Sequence, residues 1–154
     1  MKKLLFVFAG LFLGATLYSQ SVDDYMEVQR AALKTEKKAI VADAMQLTDA
    51  ESEVFWPVYN EYNDKMYGVN TKLYNLIKEF ADNYDMMTDE KAVEITGEVL
   101  KYDQEALNLK KQYFKKFQKV LSGKQVLRYF QVENKIKALI DAQIASEIPL
   151  LEKN

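Results

Sequence analysis

The chain of 154 residues contains no cysteine and no histidine, and only two prolines and five glycines. Without cysteine it has no disulfide bond, no thiol nucleophile and no lipid-modified N-terminal cysteine. Without histidine it lacks the commonest metal ligand and the usual general base at neutral pH. Glycine-rich phosphate loops are missing too. Because these absences rule out Ser-His-Asp triads and Glu-x-x-His metal pairs, we expect no enzyme activity, no metal and no cofactor.

The N-terminus has the pattern of a secretory signal. Lys2 and Lys3 precede an apolar run over 4–17, and polar Ser19 and Gln20 follow. A membrane span needs about 20 apolar residues, so the pattern predicts a cleavable signal peptide at 1–20 and export to the periplasm. An uncleaved N-terminal anchor is the alternative. The remaining 21–154 has the size of one domain. Without Lys2 and Lys3 it carries 19 basic and 23 acidic residues, a net charge of −4, which argues against a nucleic-acid partner.

Two blocks of the sequence match at a spacing of 74 residues, and both have the chemistry of a helix start. In each, a hydroxyl residue suits the N-cap, a Glu or Gln three positions later suits a capping box, and a preceding Leu suits a hydrophobic staple. The first block has these at Leu47, Thr48 and Glu51, and the second at Leu121, Ser122 and Gln125. An internal repeat of this kind bears directly on the fold.

The apolar spacing predicts an all-α chain of four helices. We expect helices at 22–45, 49–80, from Thr88 onward, and at 124–146, with a turn at 81–87. The second and third carry apolar residues at alternating steps of three and four, which is typical of a heptad seam. Pro57 should kink the second helix, and Gly68 and Gly97 should mark close packing or a bend. The expected architecture is a long antiparallel hairpin with a shorter helix at each end, and such helices often dimerise.

The block Leu47-Thr48-Asp49-Ala50-Glu51 and its echo from Leu121 to Gln125 resemble the LTxxQ motif of the Spy/CpxP family of periplasmic stress proteins. The extension after the first block, residues 55–62, is similar to exported proteins of Bacteroidetes, some of which are linked to ECF-type sigma factors. The resemblance implies a small four-helix chain that dimerises into a curved cradle. Glu51 replaces the family's glutamine and Ser122 its threonine, and both keep the capping chemistry. Zinc sensing, seen in some relatives, is not carried over because histidine and cysteine are absent.

Three groups of residues are candidate sites. The caps are structural, or they also fix the curvature of a binding face. Most aromatic residues suit a core, but a subset off the seam suits loose contact with varied clients. A basic run from Lys110 to Arg128 suits the helix dipole, or else attracts acidic clients or a membrane surface. The candidate client-binding residues are Trp56, Tyr67, Tyr74, Phe114, Lys115 and Lys116.

We therefore expect an ATP-independent periplasmic chaperone or envelope stress-response protein that binds unfolded or partly folded proteins as a homodimer. The alternative is a regulatory sensor or adaptor that docks on a membrane signalling partner of the ECF sigma or two-component kind. A third interpretation is a purely structural helical subunit. The sequence does not identify the client, the inducing stress or the signalling partner.

Overall fold

A computed structural model describes the backbone of residues 19–152 and the side chains of residues 30–152. It contains four α-helices and, within that range, no strand: α1 (Ser19–Met45), α2 (Asp49–Asn83), α3 (Asp89–Phe117) and α4 (Gly123–Glu147). The all-helical prediction is confirmed. Residues 1–18 of the predicted signal peptide lie outside the described range. No described helix is long and apolar enough to cross a membrane.

The helix bounds lie within a few residues of the expected ones. The largest difference is at the predicted turn, 81–87, where α2 continues to Asn83 and a short 3-10 helix, Tyr84–Met86, follows. Side-chain contacts explain the extension, because the Asn83 amide donates to the Glu79 carbonyl at 2.7 Å and the Tyr84 ring packs on Phe80. Pro57 lies inside α2, which is helical on both sides of it.

The helices associate mainly in two pairs, α2 with α3 and α1 with α4. Three ion pairs join α2 to α3 as Glu61–Lys116, Lys72–Glu105 and Glu79–Lys91. Because the numbers rise along α2 while they fall along α3, the two helices run in opposite directions. Lys37 of α1 pairs with Glu133 of α4 at 2.9 Å, and the Arg128 side chain of α4 donates to the Ala44 carbonyl at 2.5 Å.

The best-buried core lies where the two sequence blocks meet, and its members come from all four helices. The largest fully buried side chains are Phe55, Tyr62, Tyr113, Phe117, Tyr129 and Val41. The other half of the α2–α3 pair is thinner, and its seam residues Leu73, Leu76 and Phe80 are only partly buried. The packing is therefore firm at one end of the pair and looser toward the Tyr84–Met86 turn.

Packing differs from what local spacing indicates on α1 and at the two helix-interior glycines. On α1, Val41 and Met45 are buried, whereas Leu33, Ile40 and Ala44 are only partly buried. The apolar spacing of α1 is weak, so the rotation of the helix about its axis is set by the helices it packs against. Gly68 and Gly97 do not mark close packing, since a Cβ added at either would have no neighbour within 4 Å among the described residues.

Candidate functional site

Both capping boxes form. The backbone N–H of Glu51 donates to the Thr48 hydroxyl, and the Glu51 carboxylate accepts from the Thr48 backbone N–H at 2.9 Å. Ser122 and Gln125 repeat this arrangement at the start of α4, again with a 2.9 Å bond back to the cap N–H. The four residues therefore satisfy backbone donors that a helix start leaves without intrahelical partners.

The two capping boxes are joined to each other. The Gln125 side-chain amide donates to the second carboxylate oxygen of Glu51 at 2.6 Å. Hydrogen bonds to Glu51 from the Thr48 backbone N–H, the Gln125 amide and the Thr48 hydroxyl, in that order, hold the pKa of the Glu51 carboxyl below its ordinary value. We call this arrangement of Thr48, Glu51, Ser122 and Gln125 the cap latch. It fixes the starts of α2 and α4 at one end of the molecule.

Residues at equivalent positions of the repeat also meet below the cap latch. Phe55 and Tyr129 are 74 positions apart, as Glu51 and Gln125 are, and their rings make an edge contact at 5.5 Å between centroids. Phe117 packs on both, at 5.7 Å from Phe55 and 4.4 Å from Tyr129. The two blocks thus contact each other through matching residues. A pseudo-twofold axis between the blocks would bring equivalent residues together in this way.

A polar cluster lies inside this aromatic core. Lys37 donates to one carboxylate oxygen of Glu133 at 3.0 Å and lies 2.9 Å from the other, and both side chains are largely buried. Burial, followed by the Glu133 charge, raises the pKa of Tyr59, Tyr62 and Tyr129. The Tyr129 hydroxyl is buried without a hydrogen bond in the described range. The cluster links α1, α2 and α4 by charge as well as by apolar contact.

One apolar row on α3 is largely exposed. Val93, Leu100, Leu107 and Phe114 recur every seven residues, and their exposed fractions are 73, 63, 44 and 42%. We call this row the α3 stripe. Seven residues are nearly two helical turns, so the four side chains lie along one face. Of these four residues only Phe114 was predicted to contact clients, although the spacing of seven is visible in the sequence.

A groove runs along the α2–α3 pair on a different face of α3. It consists of two depressions of about 400 and 490 Å³ that adjoin at Glu105, and no residue of α1 or α4 lines either. Its floor is apolar and its rim carries charged and amide side chains. The groove is lined by Lys65, Gly68, Val69, Lys72, Asn75, Leu76, Glu79, Glu98, Lys101, Tyr102, Glu105, Asn108, Leu109 and Gln112.

The predicted client-binding residues do not form one surface. Trp56, Tyr67 and Tyr74 lie beside α1, with Lys38 over the Trp56 ring and Arg30 over the two tyrosine rings. Phe114 instead packs on Phe130 of α4. Lys115 is exposed, and Lys116 pairs with Glu61 of α2 at 2.8 Å. Three of the six are therefore half-buried beside α1, where the neighbouring cation covers part of the ring.

Among the described side chains, 30–152, no three or more carboxylates are placed to hold a metal ion. No family model matches the chain, and neither a curated protein nor a solved structure was found to resemble it.

Proposed function

We propose that this protein is an exported, ATP-independent chaperone or envelope stress-response protein of the Spy/CpxP type that holds non-native proteins in the periplasm. In this proposal 1–20 is a cleaved signal peptide and 21–154 is one domain, built as a long hairpin of α2 and α3 with α1 and α4 as the shorter end helices. Two copies form the cradle.

The cap latch is the observation that carries this proposal. The two blocks on which the family resemblance rests lie in contact, 2.6 Å apart between the Gln125 amide and the Glu51 carboxylate. A joined pair of helix starts above a dense aromatic core gives the long α2–α3 pair a rigid base. Such a base supports a preformed holding surface, because a surface ordered in advance costs less conformational entropy when a client binds.

The α3 stripe supports the dimer. Exposed apolar rows commonly mark contact surfaces, and all four side chains of this one are exposed. The charges of α3 suit an antiparallel partner. Its first ten positions carry Asp89, Glu90, Glu94 and Glu98 against the single cation Lys91, and its last eight carry Lys110, Lys111, Lys115 and Lys116. With Leu100 opposite the partner's Leu107, the acidic half of each copy faces the basic half of the other.

The regulatory alternative is favoured by one observation. Between Glu105 and Glu133 there is no acidic residue and there are seven basic ones. This run of positive charge, in a chain whose net charge is −2, would attract an acidic membrane-bound partner at long range. A pull-down from envelope extract separates the two functions, since one stoichiometric membrane protein supports the sensor and broad capture supports the chaperone.

The proposal is tested by light scattering from a reduced, aggregating client with the mature protein at equimolar concentration. Suppression of aggregation is expected, and no suppression would refute the chaperone function. Size-exclusion chromatography with light scattering tests the dimer. The double variant Leu100→Ser/Leu107→Ser should be monomeric with unchanged helicity, whereas Leu139→Ser, on the exposed face of α4, should remain dimeric. A wild-type monomer at micromolar concentration would contradict the cradle.

A further inference from the structure

Gly68 has no role in the packing of the described chain. It lies in the interior of α2, where glycine is less favourable than alanine, and an added Cβ would meet no atom within 4 Å. The backbone conformation does not require glycine either, because its φ is not in the left-handed region. Because glycine has no Cβ, it allows a ligand or another backbone to approach a helix closely, and at Gly68 that space is open.

The charges that line the groove balance, three lysines against three glutamates, and each has an ion-pair partner, although Lys65 shares Glu61 with Lys116. Lys72 pairs with Glu105 at 2.6 Å and Lys101 with Glu98 at 2.5 Å. The two remaining charges on the rim are paired as well, Lys65 with Glu61 at 3.4 Å and Glu79 with Lys91. A charged ligand would have to displace one of these partners, whereas an uncharged one would not. Charge complementarity therefore selects a neutral occupant.

The rest of the lining suits a polypeptide backbone. The floor is apolar through Val69, Leu76 and Leu109. Two side-chain amides on the rim, Asn75 and Gln112, make no hydrogen bond to another described residue, so both can bond to peptide N–H and C=O groups. From residue 98 to residue 112 the groove runs about 20 Å along α3, which is the length of about six extended residues.

We infer that the α2–α3 groove holds an uncharged, apolar, extended segment of a non-native protein, with Gly68 as the point of closest backbone approach. This inference rests on the proposed chaperone function and names the site and the kind of segment. A folded protein rarely exposes such a segment, so the groove distinguishes non-native chains from native ones by what they expose.

The first test is Gly68→Ala with Gly97→Ala as the matched control, because both glycines are helix-interior, both are open, and only Gly68 lines the groove. Both variants should melt at a slightly higher temperature than the wild type. Gly68→Ala should lose several-fold in aggregation suppression and in affinity for a fluorescent apolar, uncharged peptide, while Gly97→Ala should retain both. If the wild type and Gly68→Ala suppress aggregation and bind the peptide equally well, the groove is not the client site, and the proposed function still stands. If the wild type itself holds no client, the proposed function fails.

The second test uses the absence of native cysteine. Asn75→Cys, on the groove rim, and Leu139→Cys, on α4, are each labelled with a photo-crosslinking maleimide and irradiated with the reduced client. Crosslinks from position 75 and not from position 139 support the site. Crosslinks from position 139 alone, or equally from both, would refute it. A peptide with the same apolar residues and added lysines or glutamates should bind several-fold more weakly, and equal binding would contradict the selection by charge.

Discussion

Replacing Lys37 by methionine tests the polar cluster inside the core. Its ammonium group lies 2.9–3.0 Å from the Glu133 carboxylate, and the side chains are 17 and 8% exposed. At about 3 Å and an effective dielectric constant of about 20, the attraction is about 5 kcal/mol. Desolvation of both ions offsets much of it, but removing one partner leaves the other charged and buried, which costs about 3–5 kcal/mol. We expect Lys37→Met to lower the free energy of unfolding by about 3 kcal/mol.

The measurement is urea unfolding followed by far-UV circular dichroism, with Glu133→Gln, Glu133→Leu and Lys37→Met/Glu133→Leu as companions. Glu133→Gln should cost less than Lys37→Met, because the long lysine side chain can reach water when its partner is neutral. The double variant should recover most of the loss, since it leaves no buried charge. A change below about 0.5 kcal/mol in Lys37→Met, the range of ordinary surface substitutions, would refute the reasoning. The reasoning would also be refuted if the changes in the free energy of unfolding of Lys37→Met and Glu133→Leu simply added in the double variant.

Four further predictions concern the cap latch and the core beneath it. Gln125→Glu places two carboxylates in contact and should destabilise the fold at neutral pH. The exchange Glu51→Gln/Gln125→Glu restores an amide–carboxylate pair and should recover stability in the same urea assay. A loss of stability that the exchange does not recover would contradict the cap latch. The fold lowers the pKa of the Glu51 carboxyl, so Glu51 stabilises the fold at pH values above its ordinary pKa of 4.5. This contribution is lost as the pH falls below that value. The variant Glu51→Gln should therefore flatten the acid side of the plot of stability against pH. Phe117→Ala should cost about 3–5 kcal/mol because the ring is fully buried, whereas the half-exposed Phe114→Ala should cost about 1 kcal/mol or less. Burial raises the pKa of Tyr129, so the contribution of its neutral phenol to stability is complete below pH 10 and is lost above it. Ultraviolet titration should show this phenol ionising only as the chain unfolds. Ionisation of every tyrosine near pH 10 in the folded chain would count against the buried cluster.

The sequence by itself determined which segments are helical and where three of them begin. Caps, capping boxes and heptad spacing act between residues three to seven positions apart, so Thr48, Thr88 and Ser122 could be identified as helix starts without any knowledge of packing, and each caps its helix in the structure. The repeat at a spacing of 74 was also visible. The contact between its copies was not, because a bond between Gln125 and Glu51 exists only once the helices have packed.

The tertiary structure alone decided which side chains lie inside and which surfaces are left over. Val41 is buried rather than Ile40, and the charged Glu133 is buried beside Lys37, because neighbouring helices set the phase of weakly patterned segments. Gly68 was expected to mark close packing or a bend, and it opens a groove instead. Burial and exposure depend on contacts between residues far apart in the chain, and local spacing carries no record of which helix faces are in contact.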